Sequence, residues 1–185
     1  MHAEDQYHHA TQLTSEISDL QLRLSRTPAG VLTLATAESA TAGGIAARLT
    51  DIAGASDYFL GGLIAYSNLA KRRLLKVRPA TLDHFGAVSA EVAEQMAEGG
   101  RSALGADVCV ADTGIAGPGG ATTDKPVGLF YVAIATPDGC QVRALQFGGD
   151  RAFNRAGVVV ASLLQVRDYL LQCCVARGAN DDECL

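Results

Sequence analysis

Hydrophobic positions along this chain recur at two different spacings. Leu13, Ile17, Leu20 and Leu24 are separated by three or four residues, which predicts an amphipathic helix over residues 10–25. Shorter apolar runs, bounded by Gly, Pro, Asp or Ser, predict strands further along the chain. These runs cover residues 31–36, 59–67, 107–113, 127–135 and 141–147. The last run alternates between apolar and polar residues, so we expect it to pair antiparallel with the run before it.

Helical periodicity separates the predicted strands. It predicts helices over residues 41–52 and 90–104 and a long final helix from Asp150 to about Leu171, whereas residues 79–86 are predicted to be a connection. Helices that alternate with single strands are typical of a three-layer α/β/α sandwich, because each crossover helix covers one face of the sheet. We therefore predict this fold class, with a mostly parallel central sheet and an antiparallel edge hairpin.

The composition fits one globular domain. The chain has 185 residues, of which 48% are hydrophobic and 19% are charged, and this is enough apolar material for a single core. We place the domain at residues 10–172. The acidic and histidine-bearing start, residues 1–9, is predicted to be a flexible tail. Residues 173–185 lack clear periodicity and are predicted to be a loose C-terminal tail.

Charge and cysteine spacing limit the partners and the compartment. The net charge of −5 disfavours nonspecific binding to nucleic acid or to an anionic membrane. No run of about 18 apolar residues predicts a membrane span, and the start of the chain lacks the apolar core of a secretory signal. The cysteines show no CxxC spacing, which favours a reduced, cytoplasmic protein. We expect no nucleic-acid and no membrane partner, whereas the extra N-terminal helix and small-residue surfaces favour a homo-oligomer.

Histidines near the N-terminus raise the question of a metal site. His2, His8 and His9 have no cysteine or carboxylate cluster beside them at ligand spacing. A frayed segment is the simpler interpretation of these residues. We therefore expect neither a metal nor another cofactor.

Polar and glycine residues follow three of the predicted strands at the point where each strand ends. The first junction reads A-E-S-A-T-A-G-G, the second Y-S-N-L-A-K, and the third D-T-G-I-A-G-P-G-G. Ligands of such sheets bind at the carboxyl ends of the strands, so three coincident junctions predict a site. Ser39 and Thr41 at the first junction are typical either of helix caps or of a catalytic site. A helix start near Thr41 would suit an anion or a developing oxyanion.

Lys71, one turn after the second junction, is the candidate base for Ser39. A serine hydroxyl is a weak nucleophile without a base, and no histidine is well placed in the sequence. A lysine can serve if burial or nearby positive charge makes it partly neutral. Tyr66 could then orient the amine or relay a proton. The alternative interpretation of Lys71 is an exposed lysine on a helix.

The glycine-rich loop and two arginines are candidate ligands of a phosphate. Backbone N–H groups of residues 114–120 could approach a phosphate closely. Arg151 and Arg155 are four residues apart, on one face of a helix start. A plain connection between strands and a solvated helix end are the alternative interpretations.

Four ordered motifs resemble the CinA C-terminal domain family. They read A-E-S-A-T-A-G-G, G-A-S-D-Y-F-L-G-G-L-I-A-Y-S-N-L-A-K, G-I-A-G-P-G-G…K-P-V-G and G-G-D-R, and the resemblance covers residues 10–172. Members of this family are nicotinamide-nucleotide amidohydrolases, also called nicotinamide mononucleotide deamidases. The resemblance implies hydrolysis of nicotinamide mononucleotide to nicotinic acid mononucleotide and ammonia, within pyridine-nucleotide recycling. Many members also carry a metal-dependent pyrophosphatase-type domain, and we expect this chain to lack that second activity.

The resemblance also implies roles for individual residues. Ser39 corresponds to the nucleophile, Lys71 to its base, and Tyr66 to a nearby tyrosine of the catalytic site, with no metal required. Taking the motifs and the strand ends together, we expect a larger set of residues to bind the substrate. These residues are Thr41, Gly43, Asn68, Gly114, Ala116, Gly117, Gly119, Gly120, Arg151 and Arg155.

Two positions depart from the usual family motif E-S-C-T-G-G. Ala40 stands where Cys is usual, and Ala42 stands where the first Gly is usual. A methyl at position 42 would interfere if the backbone needs positive φ, but it is harmless in the first turn of a helix. We favour the helical interpretation, because Gly43 remains to allow close approach. The departures leave two alternatives open, a catalytically weak nucleotide-binding or regulatory module and an amidase for another amide.

Overall fold

The computed structural model describes residues 3–179 and contains one sheet flanked by helices. The strands are β1 Leu34–Glu38, β2 Phe59–Ile64, β3 Val108–Gly114, β4 Leu129–Thr136 and β5 Gly139–Gln146. The helices are α1 Ala3–Ser25, α2 Gly44–Leu49, α3 Asn68–Leu75, α4 Pro79–Phe85, α5 Ala90–Leu104 and α6 Arg151–Ala176, with a single 3₁₀ turn at Ala55–Asp57.

The strand order in the sheet is β2-β1-β3-β4-β5. β1 pairs parallel with β2 and with β3, while β4 pairs antiparallel with both β3 and β5. Helices connect the parallel strands, because the chain must return to the opposite end of the sheet before the next parallel strand can begin, and a short loop cannot span that distance. The predicted fold class is confirmed, including the parallel centre and the antiparallel hairpin at one edge.

Two apolar clusters, one on each face of the sheet, form the core. In β3, Val108 and Val110 contact the cluster formed with α1 and α6, whereas Cys109 and Ala111 contact the cluster formed with α5. This division follows from the two-residue side-chain period of a strand. Because both faces are covered at the centre of the sheet, β1 and β3 are buried along almost their whole length, whereas the edge strand β5 alternates between exposed and partly buried residues.

The first helix is longer than its predicted span. It begins at Ala3, so the part of the predicted N-terminal tail that the structure describes is helical. Glu4 and Asp5 lie in its first turn, where negative charge stabilises the positive end of the helix dipole. Residues 1–2, including His2, lie outside the described residues.

The last helix also extends beyond its prediction, to Ala176 in place of about Leu171. Cys174 is fully buried and packs with the apolar core next to α1, which explains the added turn. The loose-tail prediction is therefore wrong for residues 173–176, and residues 180–185 lie outside the described part. A third difference is α4, a short helix with Pro79 in its first turn, which replaces the predicted connection.

Helix α6 is long and apolar enough to cross a membrane by length and composition alone. Half of the most apolar 18-residue stretch of this helix is buried inside the protein, where it packs against the sheet and α1. Its buried residues include Val158, Leu163, Val166 and Leu170. The apolar character of this helix is thus accounted for by core packing.

Candidate active site

Lys71 and Ser39 meet at the carboxyl end of the parallel strands. Ser39 follows β1, and Lys71 lies in the first turn of α3, which begins after β2. The Nζ atom of Lys71 is 2.6 Å from Ser39 Oγ and 2.9 Å from the carbonyl oxygen of Ala65. Lys71 is only 2% exposed, so the alternative of an exposed helix lysine is wrong.

The burial of Lys71 changes its acid–base behaviour. Desolvation lowers the pKa of Lys71 to about 8, although the negative charge of Asp112 opposes the shift. An amine with this pKa is partly neutral near physiological pH and can accept a proton from a neighbouring hydroxyl. The Lys71 amine also donates a hydrogen bond to the Ala65 carbonyl, which restricts rotation of this group. The arrangement satisfies the geometric requirement for a nucleophile with an adjacent base.

Next to this pair lies a cavity of about 230 Å³. Its walls are Ser39, Ala40, Tyr66, Asn68, Lys71, Ala87, Val88, Thr113, Gly114, Ala116 and Arg151. The three strand ends thus converge, as the sequence predicted, and the connection between α4 and α5 adds a fourth wall. Two larger depressions, of about 510 and 690 Å³, lie beside α5, but the Ser39–Lys71 pair lines neither.

Two buried carboxyl groups occupy the space behind the Ser39 turn. Asp112, at 0% exposure, accepts hydrogen bonds from the backbone N–H groups of Ser39, Ala40 and Thr41. Glu38 accepts hydrogen bonds at the start of α2 from the N–H groups of Gly43, Ile45 and Ala46, at 2.7, 3.1 and 2.8 Å. Both residues stand at predicted strand ends, but no pattern in the chain indicated a role for either carboxyl group.

These carboxyl groups change the interpretation of Thr41 and Gly43. The backbone N–H groups that were expected to bind an anion already donate to Asp112 and Glu38. The Thr41 hydroxyl lies between the two carboxyl groups, 2.8 Å from Glu38 Oε2 and in a short hydrogen bond with Asp112 Oδ1. Neither Thr41 nor Gly43 lines the cavity, and both instead hold the Ser39 turn and the start of α2 through these carboxyl groups.

The backbone at Ala42 is left-handed, with φ of +52°. Helix α2 begins at Gly44, two residues later, and its N-cap Gly43 also has positive φ, at +97°. Our interpretation of Ala42 as a first-turn helical residue is therefore wrong. The Ala42 side chain is exposed and does not line the cavity, so its methyl group does not occupy substrate space.

The two candidate phosphate arginines separate in the structure. Arg151 lines the cavity, and its guanidinium donates to the Gly117 carbonyl at 2.9 Å and to the Tyr66 hydroxyl at 3.2 Å. Arg155 instead donates to the carbonyl oxygens of Ala40 and Thr41, at 3.0 and 2.6 Å. Arg155 stabilises the side of the Ser39 turn that faces away from the cavity. Of the two arginines that were predicted to bind a phosphate, only Arg151 lines the cavity.

Tyr66 and Asn68 line the cavity on the side of β2 and α3. Tyr66 is 61% exposed, and its hydroxyl has Arg151 as its hydrogen-bond partner within the described chain. The expected contact between the Tyr66 hydroxyl and the Lys71 amine is not formed here. Ser67, between Tyr66 and Asn68, caps α3 by accepting a hydrogen bond from Ala70 N–H at 3.1 Å, which fixes the position of Lys71 on this helix.

The glycine-rich loop contributes only part of its length to the cavity. Gly114 and Ala116 line it, and Gly114 has no room for a side chain, because a Cβ atom would lie 2.0 Å from the Phe130 ring. Gly119 and Gly120 are exposed and lie away from the walls. Ala116 and Gly117 are buried residues, and no hydrogen-bond acceptor in the described range is recorded for their N–H groups, although Gly117 itself does not line the cavity.

Metal ligation is a separate question. Within residues 3–179, no three His, Cys, Asp or Glu side chains are grouped so that they could hold a metal ion. The pair of Glu38 and Asp112 is saturated with hydrogen bonds from the protein itself.

Comparisons with known sequences agree on one family. A family model described as the CinA C-terminal domain matches residues 20–170. A CinA-like protein of Geobacter sulfurreducens is 51% identical over 140 residues, which are 76% of this chain and 34% of that protein. The chain therefore spans about a third of the length of the curated relatives it matches.

Solved structures of similar proteins share the fold. The competence/damage inducible protein CihA from Agrobacterium tumefaciens is 41% identical, with a TM-score of 0.76 over 85% of this chain and 96% of that one. The competence damage-inducible protein A (ComA) from Klebsiella pneumoniae is 31% identical, with a TM-score of 0.80 over 88% of this chain and 97% of that one.

Proposed function

The chain belongs to the CinA C-terminal domain family, and we propose that it is an amide hydrolase that converts nicotinamide mononucleotide to nicotinic acid mononucleotide and ammonia. The observation that carries this proposal is the 2.6 Å contact between Lys71 Nζ and Ser39 Oγ beside a cavity. The pair supplies both a nucleophile and a base, so the proposed reaction uses no metal or other cofactor.

In the proposed reaction, neutral Lys71 takes the hydroxyl proton of Ser39 while Oγ attacks the carboxamide carbon. The resulting ammonium group of Lys71 gives a proton to the leaving nitrogen, the C–N bond of the tetrahedral intermediate breaks, and ammonia departs, which leaves the acyl group as an ester on Ser39 Oγ. Water then attacks this ester, with Lys71 again as the base, and releases the carboxylate product and free Ser39.

The tetrahedral intermediate carries a negative oxygen that needs hydrogen-bond donors. The helix start at α2 is used by Glu38, so this oxyanion requires donors from elsewhere. We assign this role to the N–H groups of Ala116 and Gly117, which donate no hydrogen bond to the described part of the chain. Preorganised backbone donors of this kind are the common solution in acyl transfer.

Arg151 is the residue we assign to the substrate phosphate. Its guanidinium lies at the rim of the cavity and is held from two sides, by the Gly117 carbonyl and the Tyr66 hydroxyl. A fork of N–H donors with fixed orientation suits a phosphate group. Tyr66 then acts on Arg151 at the rim, and not on the Lys71 amine as the sequence suggested.

Cysteine chemistry favours a cytoplasmic location for this activity. Cys109, Cys140 and Cys173 carry free thiols among residues 3–179, as expected in a reducing compartment. Nicotinamide mononucleotide is an intracellular type of substrate, a charged nucleotide that does not cross membranes unaided, which agrees with this location.

Ammonia release from a panel of amide nucleotides tests the proposal. We expect release from nicotinamide mononucleotide by the wild-type chain and none above background by Ser39→Ala. Preference for another amide in the panel would contradict the proposed substrate, although the proposed amide hydrolysis would still hold. Binding of nicotinamide mononucleotide without ammonia release would contradict the amidase and favour a nucleotide-binding module.

A further inference from the structure

Asp112 is a fully buried carboxyl group that contacts the nucleophile turn without lining the cavity. It lies on β3, next to β1, and accepts the N–H groups of Ser39, Ala40 and Thr41 at 3.2, 2.8 and 3.2 Å. One side chain therefore fixes three successive residues of the turn against the neighbouring strand. A buried carboxylate without hydrogen-bond donors would destabilise the fold. The three N–H donors offset this effect and fix the position of the turn relative to Asp112.

We propose that Asp112 is a positioning residue of the Ser39–Lys71 pair. It holds Ser39 Oγ against the Lys71 amine, and its negative charge balances the ammonium that forms when Lys71 takes the serine proton. This inference rests on the amide hydrolysis proposed above. Asp112 touches no substrate, because it has no exposed surface.

The Thr41 hydroxyl connects Asp112 to Glu38. Thr41 Oγ1 lies within hydrogen-bond distance of Glu38 Oε2 and of Asp112 Oδ1. A hydrogen bond donated by this hydroxyl favours the ionised form of Asp112. Burial raises the pKa of Asp112 to about 6, the Thr41 hydrogen bond opposes this rise, and the charge of Glu38 adds to it. Thr41 therefore helps to keep Asp112 ionised in the pH range where Lys71 titrates.

The ionisable groups around the Lys71–Ser39 contact come from four segments of the chain. They are Glu38 after β1, Tyr66 after β2, Asp112 on β3 and Arg151 at the start of α6. Desolvation disfavours the ammonium form of Lys71, whereas the Asp112 carboxylate favours it. Removing the Asp112 charge should therefore lower the pKa of Lys71 further.

The small number of lysines makes this consequence directly measurable. The chain has three, Lys71, Lys76 and Lys125, so each ¹³Cε signal can be followed by NMR during a pH titration and assigned with Lys71→Met. We expect Asp112→Asn to lower the Lys71 midpoint by about one pH unit. With nicotinamide mononucleotide, kcat should fall by about tenfold or more and KM should change little, because the lost contacts orient the nucleophile.

Asp107→Asn is the matched control. Asp107 also joins β1 to β3 through its carboxylate, but at the opposite end of the strands, where it accepts the Thr33 N–H and hydroxyl at 2.8 and 2.7 Å. The Asp107→Asn variant should be destabilised, as Asp112→Asn is. The Lys71 titration midpoint and the pH profile of kcat should be the same as in the wild type. A merely structural role for Asp112 predicts the same unchanged midpoint in both variants.

Thr41 provides a second test if Asp112→Asn does not fold. Thr41→Val removes the hydrogen bond that keeps Asp112 ionised, so it should lower the Lys71 midpoint in the same direction, while Thr41→Ser should restore it. Unchanged midpoints in the folded variants would overturn the inference. The titration needs no substrate, so a wild-type chain that released no ammonia would contradict the proposed function and leave this result to stand separately.

Discussion

The Nζ atom of Lys71 lies 2.6 Å from Ser39 Oγ, although the two residues are 32 positions apart in the chain. The contact is buried, with Ser39 at 7% and Lys71 at 2% exposure. A lysine in such a place costs stability while it is charged, and this cost is what makes it useful as a base. The predictions below test the consequences of this contact and of the residues around it.

Ser39→Ala should abolish ammonia release, with a loss of about a thousandfold or more, because no other hydroxyl within residues 3–179 is hydrogen-bonded to the Lys71 amine. Thermal unfolding should stay close to wild type. Ser162→Ala is the matched control, since Ser162 is also buried but bonds only to the Val158 carbonyl on α6. Activity of Ser39→Ala within a few-fold of Ser162→Ala would remove Ser39 from the mechanism.

The pH dependence of kcat should follow the titration of Lys71. With the pKa of Lys71 lowered to about 8 by burial, the rate should rise with pH up to about that value, because only the neutral amine accepts a proton. Lys71→Arg should be nearly inactive, since a guanidinium keeps its proton at these pH values. The exposed Lys76→Arg serves as the control. Substantial activity in Lys71→Arg would mean that the charge alone is required.

The same pKa shift predicts a pH-dependent stability. Burial lowers the pKa of Lys71 from 10.5 to about 8, so the unfolded chain binds more protons between these values and the folded state gains stability as pH rises. Relative to Lys71→Met, the unfolding free energy should rise by about 3 kcal/mol between pH 8 and 10.5 and be flat below pH 7. Chemical denaturation at several pH values measures this difference. A difference that falls with pH would contradict a buried lysine.

Arg151→Gln should raise KM for nicotinamide mononucleotide by about tenfold or more and leave the low efficiency with nicotinamide riboside unchanged, because only the nucleotide carries the phosphate. Arg143→Gln, on the exposed face of β5, is the control for a general loss of positive charge. Equal effects on the two substrates would place the Arg151 contact somewhere other than the phosphate.

Ala42→Gly should stabilise the protein by about 0.5 kcal/mol or more, since alanine pays for the left-handed conformation at φ +52° and glycine does not. Kinetic constants should stay near wild type, because the methyl group points away from the cavity. Ala47→Gly is the matched control, an exposed position within α2 that should lose about 1 kcal/mol. Denaturant midpoints measured side by side compare the two, and a loss at Ala42 would contradict the left-handed backbone.

Residue patterns along the chain were sufficient to predict all five strands and the edge at which the site forms, although they did not predict the short helix α4. Periods of two and 3.6 residues are local properties, so they identify β3 and α5 without knowledge of their neighbours. The convergence of Ser39, Lys71 and Gly114 also followed from sequence, because the carboxyl ends of parallel strands share one edge.

Tertiary structure decided which side chains face the cavity and which support it from behind. Arg151 and Arg155 are one helical turn apart, yet one lines the cavity and the other holds the Ser39 turn. The role of Asp112 and the left-handed φ of Ala42 were equally out of reach of a pattern. These features depend on the direction in which a side chain leaves the backbone and on partners about 70 residues away in the chain. Neither quantity is contained in the local spacing of residues, since the packing of β1 against β3 and α6 sets both.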